Sequence, residues 1–138
     1  MSAWMILRGM KTLDMRMKKH CENGLAVAEF LEEEENVELV KYPALKSHPQ
    51  YELCKTQMNG LGGGVVSFKL KDGINGLTRD QASRRLMNSL ELATIATRLG
   101  EEHTLVQMNG ENLIRIAVGL ESSNDIINDF KQAIEKLK

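Results

Sequence analysis

Two kinds of apolar pattern alternate along this sequence, and their order limits the folds that it can adopt. Stretches with apolar residues three or four positions apart are typical of helices, whereas short runs rich in Val and Ile are typical of strands. In chain order they predict helix, strand, helix, strand, helix, strand, strand and helix. We therefore expect residues 1–138 to form one α/β domain, a sandwich in which helices pack on a small sheet.

The first long helix is predicted from an apolar stripe at helical spacing. Leu13, Met17, Cys21, Ala28 and Leu31 share one face of such a helix. The acidic run that follows, residues 32–35, opposes the helix dipole and indicates where the helix ends. The predicted strands cover residues 37–41, 65–70, 92–96 and 113–118.

Capping residues mark three later helix starts. Ser47 is predicted to cap a helix that has Pro49 in its first turn. Thr78 and Gln81 have the spacing of a capping box. Ser122 precedes the apolar stripe of the last helix.

Composition excludes several classes of partner. The 138 residues carry 18 Lys and Arg against 19 Asp and Glu, a net charge of -1 at pH 7. A chain this close to neutrality has no field that favours nucleic acid or an anionic membrane, so neither is expected as a partner. Residues 1–8 are too short an apolar run for a signal peptide or a membrane span. The cytoplasm is the expected location.

The cysteines and histidines form no recognisable metal motif. Cys21 and Cys54 lie far apart within helical patterns, so we expect buried free thiols, with a disulfide as the open alternative. The three histidines are scattered without the spacing of a metal site: His20, His48 and His103.

A glycine cluster lies at Gly60, Gly62, Gly63 and Gly64. A dinucleotide-binding loop follows a strand and opens a helix. Here the glycines follow a predicted helix and open a predicted strand, so we interpret them as a turn into the sheet and not as a phosphate site.

Arg115 is the most informative single residue, because it lies among apolar neighbours in a predicted strand. A charged side chain is costly to bury unless it is paired. Two interpretations stay open from the pattern: an exposed or ion-paired arginine, or a guanidinium that grips a carboxylate through two parallel hydrogen bonds.

Four ordered motifs together resemble one enzyme family. Residues 8–24 (RGMKTLDMRMKKHCENG) are similar to its RGLKTLxxRMxxHxxN signature, and residues 42–50 (YPALKSHPQ) to its YPGLxSHPQ. Residues 63–68 (GGVVSF) and 113–121 (LIRIAVGLE) resemble its GGMVSF and LIRLSVGLE strands. This is the transsulfuration family of Cys/Met metabolism, which includes cystathionine γ-lyase, cystathionine β-lyase, cystathionine γ-synthase, methionine γ-lyase and O-acetylhomoserine sulfhydrylase.

The resemblance implies a fold, a cofactor and a set of site residues. These enzymes are fold-type I proteins that use pyridoxal phosphate, and the chain resembles their small C-terminal domain, with a mostly antiparallel sheet. The domain with the Schiff-base lysine is absent, so we assign no catalytic or cofactor-binding residue here. By resemblance, Arg115 binds the α-carboxylate of a sulfur amino acid, Thr104 lies near the same pocket, and Thr97 occupies a position that varies with substrate preference.

Two departures from the family pattern stand out. Arg98 replaces the usual Ser or Asn and places a positive charge near the pocket. The chain also passes from Gln107 to Gly110 where the family has a long HPA...TH segment that lines the active site.

Three interpretations remain open. The favoured one is a fragment or degenerate relative that is not catalytic alone and keeps a carboxylate site at Arg115. The second is half of a split enzyme whose pyridoxal-phosphate domain is a separate chain. The third is a non-catalytic module that self-associates as a homo-oligomer through the apolar segment 4–7.

Overall fold

The structure is a computed structural model that describes residues 1–137. Five α-helices and five strands run along these residues in the order α1, α2, β1, α3, β2, α4, β3, β4, β5 and α5. Their bounds are α1 Ser2–Met10, α2 Leu13–Glu33, β1 Val37–Lys41, α3 Tyr51–Gln57, β2 Val65–Leu70, α4 Arg79–Ser89, β3 Thr94–Ile95, β4 Leu105–Asn109, β5 Leu113–Ala117 and α5 Ser123–Glu135.

The strands form one sheet in the order β1-β2-β5-β4-β3. Every pairing is antiparallel except that of β3 with β4, which is parallel. The prediction of an α/β sandwich with a small, mostly antiparallel sheet is therefore confirmed.

Helices α2, α4 and α5 cover one face of this sheet. Phe68 from β2 meets Phe130 from α5 edge to face, with ring centroids 6.1 Å apart, and Leu31, Ile116 and Ile134 pack in the same core. Full burial of a side chain of this size stabilises the fold by roughly 1.5–3 kcal/mol. The three helices do not cover the opposite face, and we refer to it as the open face; Leu105 and Ala117 on it are buried all the same. Its strand positions are Leu39, Lys41, Val65, Ser67, Lys69, Leu105, Gln107, Asn109, Leu113, Arg115 and Ala117.

Two predicted helix starts had different outcomes. The capping box is confirmed, because Thr78 Oγ1 accepts a hydrogen bond from Gln81 N at 3.3 Å while Thr78 N donates to Gln81 Oε1 at 3.0 Å. The predicted Ser47 cap is wrong, because α3 begins only after Gln50. Ser47 donates its hydroxyl proton to the carboxylate of Glu32, so its side chain is committed elsewhere.

Three further differences concern element lengths. The stripe of α2 is buried at Cys21, Ala28 and Leu31, but Leu13 and Met17 are each 41% exposed, because the buried face of α2 begins only at His20. The predicted strand at 92–96 is shortened to Thr94–Ile95. The apolar pattern of the sequence did not predict helix α1 or strand β4.

Helix α1 differs from the others because none of its residues is buried. Residues 11–12 join it to α2. Across this joint, Arg16 donates through Nη2 to the carbonyl of Gly9 at 2.7 Å. No helix within residues 1–137 combines the length and the apolar character that a membrane crossing needs.

Candidate functional site

Arg115 lies in the middle of β5 with its side chain on the open face. Its neighbours Ile114 and Ile116 are fully buried on the helix-covered face, and side chains alternate between faces along a strand. The guanidinium is half-buried: Nη2 donates to the Thr97 carbonyl at 3.0 Å, while Nε is buried and has no hydrogen-bond partner among residues 1–137. The side chain is therefore held in place by the Thr97 carbonyl.

Two of the three predicted site residues are thus brought together. Thr97 contacts Arg115 through its backbone carbonyl, and its own side chain is exposed. A carbonyl contact is open to any residue type, so Thr97 can vary without loss of the arginine's anchor.

The segment around Thr97 also borders a cavity of about 420 Å³. Arg98, predicted to add a positive charge near the pocket, lines this cavity and forms an ion pair with Glu101 at 3.1 Å. His103 lines it as well, and the apolar part of the wall comes from Leu92, Ala96 and Leu105.

The sequence pattern missed Asp129, which fixes the start of that segment. This buried carboxylate on α5 accepts backbone hydrogen bonds from Glu91 at 2.7 Å, Leu92 at 3.0 Å and Ala93 at 2.9 Å. Charge-assisted bonds of this kind are about twice as strong as neutral ones. Asp129 therefore holds the turn that leads through β3 to Thr97, and a lone Asp in a helix carries no local signal of this role.

Thr104, the third predicted residue, is fully buried at the start of β4. Its hydroxyl donates to Glu121 Oε2 at 2.9 Å and accepts from Gly119 N at 3.0 Å, and its backbone N donates to Glu121 Oε1 at 2.6 Å. The hydroxyl proton is thus committed within the protein. A contact between Thr104 and a substrate stays a prediction, whereas its role in positioning the chain after β5 is visible.

Two residues of α2 tie that helix to the same stretch after β5. Asn23 donates through Nδ2 to the carbonyls of Gly119 at 2.9 Å and Glu121 at 2.8 Å. His20 Nδ1 lies 2.6 Å from the Val118 carbonyl. Both residues belong to the motif at residues 8–24, and that motif is the sequence signal that could have identified them as important. Their hydrogen-bond partners lie almost 100 residues further along the chain, so no local pattern predicts these contacts.

Comparison with known proteins places this arrangement in a family. A family model described as Cys/Met metabolism PLP-dependent enzyme matches residues 1–111. The chain belongs to this family.

Related proteins agree with the assignment. An L-methionine gamma-lyase of Treponema denticola is 45% identical over 153 aligned positions that include 98% of this chain. A cystathionine gamma-lyase of Dictyostelium discoideum is 38% identical and aligns with 96% of it. A crystal structure from Campylobacter jejuni, described as an O-acetylhomoserine (thiol)-lyase with a pyridoxyl-lysine phosphate, superposes with a TM-score of 0.84 at 34% identity, over 96% of this chain and 32% of that one.

The chain matches only part of the length of each relative. The chain spans 36% and 37% of the lengths of the two lyases. Their alignments, of 153 and 151 positions, are longer than the 138 residues of this chain, so each relative carries residues inside the matched region that this chain lacks. The family model ends at residue 111, within the short turn Gly110–Asn112 that joins β4 to β5.

The described residues do not fit a covalently held pyridoxal phosphate. A Schiff-base lysine is activated by desolvation or by a neighbouring cation in a pocket. No lysine within residues 1–137 is buried: Lys19 and Lys69 are half-buried and the others are exposed. At Gly62 the Tyr42 ring already fills the space next to the backbone, since a Cβ there would lie 2.5 Å from that ring.

The remaining cysteine and histidine predictions concern structure. Cys21 and Cys54 are free and buried, as expected. Across the described part of the chain, no group of three or more His, Cys, Asp or Glu side chains could hold a metal ion.

Proposed function

We propose that this chain acts as the substrate-closing part of a pyridoxal-phosphate enzyme of sulfur amino-acid metabolism, in which Arg115 binds the α-carboxylate, and that it is not catalytic alone. The observation that carries the proposal is the Arg115 guanidinium. It is half-buried on the open face and anchored to the Thr97 carbonyl, and its buried Nε has no hydrogen-bond partner among residues 1–137. The cytoplasm is the proposed location.

Arginine suits this task for a physical reason. Its planar fork offers parallel N–H donors that match the two oxygens of a carboxylate, and it stays charged at any physiological pH. A hydrogen bond to a charged group contributes roughly 1.5–3 kcal/mol. A site of this kind recognises the α-carboxylate, which all α-amino acids share, so other residues must recognise the sulfur-containing side chain.

The lack of independent catalysis is proposed from the lysines. The chemistry that pyridoxal phosphate supplies when bound is the stabilisation of negative charge on the substrate α-carbon. An enzyme that uses it needs a lysine in a pocket, and the described lysines are exposed or half-buried. The relatives are almost three times as long as this chain, which leaves room in them for a separate cofactor-binding part.

A second candidate function is supported by α1. Trp4, Met5, Ile6, Leu7 and Met10 are each 57–64% exposed, and we refer to them as the α1 surface. An isolated helix of nine residues is marginal in water, so contact with another surface would stabilise it. The interface of a split enzyme with its cofactor-binding chain, or of two copies of this chain, would provide such cover.

Complementation tests the proposal. A Treponema denticola L-methionine gamma-lyase shortened by the part that this chain matches supplies a cofactor-binding partner, and its absorbance with pyridoxal phosphate reports whether it folds. We expect neither polypeptide alone to release methanethiol from L-methionine, and we expect the mixture to associate in size-exclusion chromatography.

Variants separate the roles of the two surfaces. Arg115→Lys is expected to leave association unchanged and to abolish any turnover by the mixture, whereas Trp4→Glu is expected to prevent association. Turnover by the 138-residue chain alone would overturn the proposal. Failure to associate with a partner that binds its cofactor would reject the split-enzyme form, and a strictly monomeric mass at high concentration would reject self-association.

A further inference from the structure

One face of α1 combines apolar and cationic side chains. Trp4, Leu7, Arg8 and Lys11 border one cavity of about 390 Å³ and have the spacing of a single helix face; we refer to them as the α1 docking face. Arg8 lies over the Trp4 ring, with Cζ 5.4 Å from the ring centroid. Within residues 1–137, neither Arg8 nor Lys11 has an ion-pair partner. Anchors at this spacing are those with which a helix binds in a groove.

A groove of about 530 Å³ borders the C-terminal half of α2, and we refer to it as the acidic groove. Its apolar part is formed by Leu25 of α2, by Ala44 and by Tyr51 at the start of α3. All three side chains are half-buried, so each keeps apolar surface that a further side chain can cover.

The charges of the acidic groove are not balanced within the chain. Glu29, Glu32 and Glu33 line it, against the single positive charge of Lys46. Glu29 and Glu33 have no ion-pair partner among residues 1–137, and they repel each other as like charges four positions apart on a helix. The last turn of α2 has no basic residue, so its acids also oppose the helix dipole. A cation from outside relieves both effects.

The α1 docking face and the acidic groove are complementary but cannot meet within one chain. Helix α1 has nine residues and is about 13 Å long, and it joins α2 next to Thr12. Glu29 lies about 25 Å along the α2 axis from Thr12, at about 1.5 Å per residue. Even folded back along α2, α1 ends short of the acidic groove. In two copies with antiparallel α2 helices, the α1 end of each chain lies beside the groove end of the other.

We propose that two copies of this chain form a symmetric dimer in which the α1 docking face of each lies in the acidic groove of the other. Trp4 and Leu7 then cover the apolar part of the groove, and the two cations of the docking face meet Glu29 and Glu33. A two-fold pair of this kind makes every contact twice and closes the assembly. The inference rests on the second candidate function in its self-association form, and it does not depend on Arg115.

Trp4 reports on this contact in the intact 138-residue chain, because it is the only tryptophan in the sequence. Its side chain is 59% exposed in the single chain. Sedimentation equilibrium over a concentration series is expected to show a monomer–dimer transition. The Trp4 emission is expected to move to shorter wavelength over the same range, because the ring leaves water. A dimer that forms without this shift would overturn the inference.

Charge reversals test which surfaces pair. Arg8→Glu and Glu29→Lys are each expected to raise the dissociation constant of the dimer about tenfold, because each places like charges together at both symmetric contacts. An equimolar mixture of the two variants is expected to return to within about threefold of the unaltered chain, since in the mixed dimer each α1 docking face meets a groove of opposite charge.

Glu135→Lys is the matched control for these reversals. It makes the same change of charge as Glu29→Lys at an exposed position of α5, and its effect on the dissociation constant is expected to stay within about twofold. Circular dichroism of each variant checks that it folds. Weakening by Glu135→Lys equal to that by Glu29→Lys would reduce the effect to net charge and reject the arrangement.

The remaining outcomes separate the inference from the function on which it rests. A dimer that the reversals do not weaken, or a mixture that associates as poorly as either variant alone, would reject this arrangement and leave self-association standing. A strictly monomeric mass at high concentration would reject both. Neither result bears on Arg115, whose role is tested by complementation with the cofactor-binding partner.

Discussion

Single residues hold the chain around the proposed carboxylate site through long-range hydrogen bonds. Thr104 and Glu121 connect the start of β4 to the stretch that follows β5, across 17 positions of sequence. Asp129 reaches the Glu91 amide from 38 positions away. No local pattern contains such pairs, which is why the sequence indicated Thr104 only through family resemblance and did not indicate Asp129.

The Thr104 hydroxyl can be tested by a matched pair of substitutions. Thr104→Val keeps the shape but leaves the Gly119 N–H and one oxygen of Glu121 without this partner, so we expect the free energy of unfolding to fall by about 1–3 kcal/mol. Thr104→Ser keeps the hydroxyl and loses one methyl group, which costs about 1 kcal/mol or less. Urea denaturation measures both. Equal losses in the two variants would show that the hydroxyl contributes nothing.

Tyr42 gives a prediction about pH. Its buried hydroxyl lies 2.9 Å from the Gly63 carbonyl and 3.1 Å from the Cys21 carbonyl, and its single proton is shared between these two acceptors. Burial, with smaller contributions from Cys21 and Cys54, raises the pKa of Tyr42 well above its usual 10.0. A group whose pKa is raised by folding stabilises the folded state below its unfolded pKa and loses that contribution as the pH rises. The free energy of unfolding should therefore fall above about pH 10.

Tyr42→Phe isolates this effect. At pH 7 the variant is expected to lose about 1–2 kcal/mol of stability through the missing hydrogen bond. The difference between the two proteins is expected to shrink as the pH is raised above 10, because Phe cannot ionise. Tyr51→Phe, at a half-buried position on α3, controls for the loss of a phenol hydroxyl at pH 7. A difference from Tyr42→Phe that stays constant from pH 7 to 11 would contradict this account.

At the scale of helices and strands, the sequence predicted the features that depend on residues close together along the chain. The β-branched run of β2, the alternation of Ile114 and Ile116 in β5 and the capping box at Thr78 are all local signals, and all three were found. Strand β4 was missed because Gln107 and Asn109 interrupt its apolar run. Its pairing with β5 stabilises it, and such pairing is a tertiary effect that overrides weak strand propensity.

The turn from α3 into β2 depends on close packing against Tyr42. A Cβ at Gly62 would lie 2.5 Å from Cζ and 2.7 Å from Cε1 of that ring, so Gly62→Ala forces the ring to move. Overpacking of this kind costs about 1–3 kcal/mol. Gly110→Ala is the control, because a Cβ there meets nothing within 4 Å, and its effect is expected to stay within about 0.5 kcal/mol. Thermal unfolding that ranks the two variants equally would contradict the packing role.

For the molecule as a whole, family resemblance extended the prediction beyond fold class. Four motifs between residues 8 and 121 placed the chain in the Cys/Met-metabolism family, and the family match over residues 1–111 confirms this. The same comparison shows what differs: the chain spans about a third of its relatives and lacks residues that they carry within the matched region. The Campylobacter jejuni structure, of which this chain matches 32%, holds its pyridoxyl group on a lysine.

The central claim is that these residues keep the small-domain fold of a pyridoxal-phosphate enzyme family without a lysine that holds the cofactor. The most direct test equilibrates the folded chain with equimolar pyridoxal phosphate, reduces it with borohydride and maps the labelled peptides by mass spectrometry. We expect sparse labelling spread over exposed lysines, no greater than in the urea-unfolded chain. Saturable labelling of one lysine in the folded chain, lost on unfolding, would contradict the claim.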